Sequence, residues 1–182
     1  MHRVGLYPEF RQTDCFQGEF WQARETESLR GTARLSNEVA LKSNQNPPRI
    51  LLAEDSDDDA FFFERAIKKS GVQCSFARAN NGKVATELLQ RAAEASQPID
   101  LVFLDLKMPV MSGFEVLEWL RSANLPCAPK VLVLSGSNDH GDRIRAVELG
   151  ASDYIVKPIA AVDLQERINP LSRASAEVGA RA

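Results

Sequence analysis

From Arg49 onward the sequence repeats one pattern, a short and mostly apolar run followed by a longer stretch with helical spacing. The runs are "RILLAE", "CSFARA", "DLVFLD", "KVLVLS" and "DYIVK". A strand with one wet face alternates apolar and polar side chains, yet "LVFL" and "VLVL" contain no polar side chain at all. Such strands need cover on both faces, which a parallel sheet with helices on each side provides. The intervening stretches meet that need. "DDDAFFFERAIKKSG" has acids in its first turn and Gly71 after its end, as the helix dipole and the glycine cap favour. "NGKVATELLQRAAEAS" stops before Pro98. "GFEVLEWLRSA", "DRIRAVELG" and "AAVDLQERI" complete a set of five helices alternating with five strands. Short loops and right-handed crossovers then give a doubly wound α/β sheet.

Residues 1–48 lack this order. They hold Tyr7, Phe10, Phe16, Phe20 and Trp21 without a sustained period, and they end in the polar, proline-bearing "KSNQNPPR". The expectation is a disordered extension, dispensable for folding. Across 182 residues the net charge is −3 and no basic stripe stands out, so nucleic acid is not an expected partner. No run approaches the roughly 18 apolar residues of a membrane span, and the N-terminus has no apolar secretory core. Cys15, Cys74 and Cys127 are scattered, with only His2 and His140 beside them, which argues against structural zinc. Reduced thiols in a cytoplasmic protein are expected.

In doubly wound sheets, sites form beyond the carboxyl ends of the strands. The first strand ends in Glu54 and Asp55, the third in Asp105, the fourth in Ser135 followed by Gly136, and the fifth in Lys157-Pro158. The second contributes nothing obvious. Each residue alone has a plain structural explanation: acids favour a helix N-terminus, serine caps turns, and a lysine before proline is commonly solvated. Four strands ending in complementary groups on one edge is a different matter. Clustered carboxylates cannot all ionise cheaply without a cation, so a hard, oxygen-seeking ion such as Mg²⁺ is implied. Carboxylates, an ammonium and a hydroxyl around Asp105 suit phosphoryl transfer to an aspartate. Asp55, Asp57 and Asp59 imitate the start of a calcium loop, but Ala60 stands where its glycine belongs and Ala66 where its glutamate belongs. Asp57 to Asp59 are read as cap and first-turn acids of a solvated helix start.

"ILLAEDS", "LVFLDLKMPVMSG", "VLVLSGS" and "GASDYIVKP", in this order over residues 49–169, resemble the receiver domain of two-component response regulators. The resemblance implies the flavodoxin-like (βα)5 fold and phosphorylation of Asp105 by a sensor histidine kinase or histidine phosphotransfer protein. It further implies Mg²⁺, or Mn²⁺ in its place, held by Asp55, by Glu54 through water, by Asp105 and by the carbonyl of Lys107. Lys157 would pair with the phosphoryl group. Ser135 and Tyr154 would form a switch pair, with Gly136 as the family's small residue and Pro158 as its cis-proline. A phosphorylation-dependent binding module with an unnamed downstream protein target follows, catalysing only its own phosphorylation and dephosphorylation. "NPLSRASAEVGARA" after Ile168 suggests a stand-alone receiver with a disordered tail from residue 170, and Pro170 predicts a shortened last helix.

The rival is an aspartate-nucleophile phosphatase of the haloacid dehalogenase type. Those carry a second Asp two residues after the nucleophile, where this chain has Lys107, and their metal acids come late in the sequence. A receiver used as a scaffold without phosphorylation is a third reading, opposed by the full acid, lysine and serine set. In "AFFFERAIKK", helical spacing puts Ala60, Phe63, Ala66 and Ile67 on the core side, Phe62 at its edge and Phe61 toward solvent. In receivers the first helix docks on the phosphodonor, so an exposed Phe61 is a candidate anchor for that partner.

Overall fold

Uninterrupted apolar runs of this kind bury both faces only when helices flank the sheet, and that is the arrangement found. The computed structural model describes residues 11–12 and 47–178, with side chains from residue 47 to 171. In chain order the elements are β1 (Arg11–Gln12), β2 (Arg49–Ala53), α1 (Asp57–Ser70), β3 (Ser75–Ala79), α2 (Gly82–Glu94) and β4 (Leu101–Asp105). There follow α3 (Gly113–Ser122), β5 (Lys130–Ser135), α4 (His140–Glu148), β6 (Asp153–Val156) and α5 (Ala161–Val178). The sheet order is β1-β3-β2-β4-β5-β6, and every pairing from β3 to β6 is parallel. The expected five-stranded parallel sheet is therefore present, in the flavodoxin-like order.

Alternate residues of each strand feed two separate cores. Leu51, Ala53, Val102, Leu104, Val131 and Val133 face α2, α3 and α4, meeting Leu88, Leu89, Val116, Leu117 and Ala146. Ile50, Leu52, Leu101, Phe103, Leu132 and Leu134 face α1 and α5, meeting Ala60, Phe63, Ile67, Leu164 and Ile168. Phe63 packs edge-on against Phe103, their ring centroids 4.8 Å apart. Local chemistry sets the helix starts. The Ser56, Asn81 and Asp139 side chains each accept a backbone N–H from the first turn, and Ser112 with Glu115 closes a reciprocal capping box. Gly71 ends α1 at φ 69°, the left-handed conformation that glycine adopts without cost.

Two findings depart from expectation. α5 does not shorten before Pro170 but continues to Val178. Leu171 packs on the same core as Leu164 and Ile168, so the buried stripe extends past the proline and draws the helix with it. Proline forfeits the N–H that would reach the Glu166 carbonyl and crowds that carbonyl with its ring, a cost the buried stripe offsets. The extension, expected to be without structure, contributes β1, which pairs antiparallel with β3 through Arg11 opposite Phe76 and Gln12 opposite Ser75. The remainder of that expectation, residues 1–10 and 13–46, lies outside the described residues, as does Cys15. Cys74 is buried, Cys127 is exposed, and neither forms a disulfide. No helix among the described residues is long and apolar enough to cross a membrane.

Candidate functional site

The chain runs from β2 outward to β3, then returns across β2 to β4, so the sheet's connections diverge between β2 and β4. A crevice opens at the carboxyl ends of two such strands. Register decides what lies in it. Ala53 pairs with Leu104, so the next residues, Glu54 and Asp105, stand level at the crevice. Asp105 in turn pairs with Leu134, which brings Ser135 to the same edge, and Ser135 pairs with Val156, which delivers Lys157. The Lys157 N–H donates to the Ser135 carbonyl at 2.8 Å, tying the last two strand ends together. The Lys157–Pro158 peptide is cis.

Lys157 Nζ is the centre of the arrangement. It contacts Glu54 Oε2 at 2.5 Å, Asp105 Oδ1 at 2.8 Å and Asp59 Oδ2 at 2.9 Å. The Glu54 and Asp105 side chains are only 2% and 9% exposed, so both carboxylates rely on this ammonium. Their other oxygens are also engaged. Glu54 Oε1 accepts the Ser56 N–H at 3.2 Å, and Asp105 Oδ2 accepts the Lys107 N–H at 2.6 Å. Burial pushes the Glu54 carboxyl above the usual range; Lys157 pulls it back only in part. Burial alone would lower the Lys157 ammonium, but hydrogen bonds to Asp105, Glu54 and Asp59 outweigh it and raise its pKa.

The turn after Asp105 is fixed by close approach. A Cβ on Gly113 would collide with the Asp105 carbonyl, and the Gly113 N–H donates to the Leu106 carbonyl at 3.1 Å. Only glycine lets α3 begin directly beneath the aspartate. Ser135 is 4% exposed, and its hydroxyl accepts the Ser137 N–H at 3.2 Å. The Tyr154 ring is buried in the core under α4, and its hydroxyl donates to the Ser137 carbonyl at 3.0 Å. Gly136 lies exposed between the two serines, with open space where a Cβ would stand. Asp55 is exposed at the rim and Lys107 is exposed beside Asp105.

The donor set suits a hard cation. It consists of oxygens, two of its carboxylates are nearly buried, and an ammonium already bridges Glu54 and Asp105 as a stand-in positive charge. Among the described residues no three acidic, histidine or cysteine side chains close around one point, and Lys157 stands between the acids that would do so. Glu54, Asp55, Asp105 and the Lys107 carbonyl are the groups that would hold an ion once the ammonium gives way.

Two site residues escaped the sequence. Arg78, on β3, donates to the Glu54 carbonyl at 3.0 Å, to the Asp55 carbonyl at 3.1 Å and to Asp57 Oδ1 at 2.7 Å. The second parallel strand therefore does contribute, by clamping the backbone that presents both acids. An arginine between two alanines gives no sign of such reach, although its place on the Phe76 face of β3, toward α1, is consistent with it. Asp59 is likewise more than a solvated helix-start acid, because it holds Lys157. Phe61 and Phe62 are both exposed, at 55% and 59%, so Phe62 turns farther outward than its edge position suggested. Beside Lys157 lies a cleft of about 370 Å³ lined by Phe62, Phe63, Leu134, Pro158 and Ile159.

Comparison with known proteins agrees with this geometry. Residues 50–169 match the response regulator receiver domain family. Transcriptional regulatory protein TctD of Salmonella typhimurium is 36% identical over 132 residues, covering 70% of this chain and 53% of its own. The receiver domain of Francisella response regulator 1452 superposes with a TM-score of 0.57 at 26% identity, covering 70% of this chain and 98% of that one. The Mn(2+)-bound form of response regulator Rcp1 superposes with a TM-score of 0.54 at 29% identity, covering 69% and 91%. The chain spans between about a quarter and a half of the length of the curated relatives it matches. On the match across residues 50–169, joined to the parallel sheet and the strand-end carboxylates, the chain belongs to the response regulator receiver family.

Proposed function

We propose that this chain is a phosphoryl-accepting signalling module, with Asp105 as acceptor and a phosphohistidine of a sensor kinase or phosphotransfer protein as donor. The observation that carries it is the contact of one ammonium with two nearly buried carboxylates, Asp105 and Glu54, where the sheet's connections diverge. In the transfer, a carboxylate oxygen of Asp105 bonds to phosphorus as the phosphorus–nitrogen bond breaks, and the electron pair stays on the departing imidazole. Lys157 keeps its proton throughout and offsets charge on the phosphoryl oxygens. Ser135, whose oxygen accepts from the Ser137 N–H, has its own proton to give to one of those oxygens. A bound Mg²⁺ or Mn²⁺ would supply further charge neutralisation, held by Glu54, Asp55, Asp105 and the Lys107 carbonyl.

The adjacency of Ser135, Ser137 and Tyr154 supports a switch that reports phosphorylation to a downstream protein in the cytoplasm. Movement of the Ser135 hydroxyl toward a phosphoryl group would disturb the Ser137 backbone that holds the Tyr154 hydroxyl. Phe61, exposed on α1, is proposed as a contact for the phosphodonor. The module turns over no external phosphate ester in this reading. Lys107 stands where a phosphatase of the dehalogenase type needs its second acid, and its N–H already serves Asp105.

The test is mass spectrometry after incubation with acetyl phosphate and Mg²⁺. The parent chain should gain one phosphoryl group, and Asp105→Asn none. Equal labelling of the variant, or steady hydrolysis of a generic phosphate ester by the parent, would defeat the reading.

A further inference from the structure

An ammonium has three protons, and in Lys157 all three are spoken for by carboxylates: Glu54, Asp105 and Asp59. The three acids differ in their surroundings. Glu54 and Asp105 are 2% and 9% exposed and have no unengaged oxygen, whereas Asp59 is 45% exposed. Asp59 sits in the first turn of α1, where its own N–H donates to the Ser56 hydroxyl at 3.2 Å. Its backbone is thereby fixed at the positive end of the helix. A cation that enters between Glu54 and Asp105 competes for the oxygens that Lys157 now holds. The ammonium would then retain a single carboxylate, the one on α1.

We propose that Asp59 is a positioning residue that receives the Lys157 ammonium when a divalent cation claims Glu54 and Asp105. It keeps the lysine beside Asp105 without leaving it in the place of the metal. The inference rests on the reading of Asp105 as a metal-assisted phosphoryl acceptor and adds a residue to it. Asp59 touches neither Asp105 nor the proposed ion; it acts through Lys157. Without this carboxylate, moving the ammonium off Glu54 leaves it with no partner, so cation binding becomes harder.

Calorimetric titration of the full chain with Mg²⁺, at about 0.1 M and about 0.5 M NaCl, tests this. Asp59→Asn keeps the size of the side chain and removes its charge. It should weaken Mg²⁺ binding by about fivefold, in the range of one partly exposed ion pair, and should do so at both salt concentrations. Asp58→Asn removes a neighbouring charge that makes no contact with Lys157. Its effect should be about twofold or less at low salt and vanish at high salt, as screening dictates. Asp59→Glu, with its charge retained, should bind within about twofold of the parent. A thermal midpoint for Asp59→Asn close to that of the parent would separate this loss from misfolding. Parent-like affinity in Asp59→Asn, or a loss that fades with salt as in Asp58→Asn, would overturn the role of Asp59. If the parent chain takes up no Mg²⁺ at all, the metal-assisted reading of the site falls first, which is a distinguishable result.

Discussion

Lys157 holds together three carboxylates that would otherwise repel one another, and that makes the site sensitive to pH in a definite direction. Burial raises the Glu54 pKa, so the folded state keeps this proton to a higher pH than the unfolded chain does. The stability from that proton is fully present below the ordinary carboxyl value of 4.5 and is lost as pH rises through the folded value. Lys157 limits the loss by pulling the Glu54 pKa back down. Lys157→Met should therefore widen the window upward. Its thermal midpoint should fall more steeply than the parent's as pH rises above 4.5, with about 3 kcal/mol lost once the carboxyl is ionised. Added Mg²⁺ should recover part of that loss, since the ion and the ammonium compete for the same oxygens. A Lys157→Met midpoint parallel to that of the parent across this range would show that Glu54 and Asp105 do not depend on the ammonium. Glu54, Asp105, Ser135 and Lys157 were legible in the sequence because strand ends declare themselves by where apolar runs stop. Arg78 and Asp59 were not, because their roles depend on side-chain reach across strands and helices, which spacing along the chain does not encode.

At the scale of elements, local rules and burial compete, and α5 is where burial prevails. The residue before a proline is biased away from helical backbone, so the sequence argued for a stop near Ile168. Leu164, Ile168 and Leu171 instead form a stripe on the core facing α1, and the helix continues through Pro170 to Val178. The proline cost is then still present inside the helix. Pro170→Ala would restore a donor for the Glu166 carbonyl and remove the ring clash, stabilising the fold by roughly 1–3 kcal/mol. That should raise the thermal midpoint by several degrees. A helix ending before residue 170 would show almost no change, so the measurement separates the two descriptions. Elsewhere element chemistry and tertiary structure agree. The capping box of Ser112 and Glu115 starts α3 at the point where Gly113 must approach the Asp105 carbonyl. One local signal thus sets both the helix start and the placement of Asp105.

For the molecule as a whole, the sheet order places α1 and α5 on one face and α2, α3 and α4 on the other, with the site along the shared edge. In the proposed transfer a protein donor would bring an imidazole to Asp105, past the cleft beside Lys157. Its wall on the α1 side is Phe62 and Phe63. Phe61 stands next to Phe62, ring centroids 5.9 Å apart, with the Arg65 guanidinium 5.6 Å from its own ring centroid. Two adjacent exposed aromatics at the rim of the site are unlike the single exposed side chains common on any surface. Neither is needed by the core, which α1 supplies through Ala60, Phe63 and Ile67. On the proposed docking role, a small donor such as acetyl phosphate has no need of Phe61, whereas a protein donor does. Phe61→Ala should accordingly leave the thermal midpoint and acetyl phosphate labelling near the parent values. Transfer from the cognate phosphohistidine protein should slow by about tenfold, the effect of losing one aromatic anchor at an interface. Stopped-flow or gel-based transfer assays on the parent and the variant with both donors measure this directly. A strongly destabilised Phe61→Ala, or one that receives phosphoryl groups from the protein donor at the parent rate, would remove this face of α1 from the docking surface.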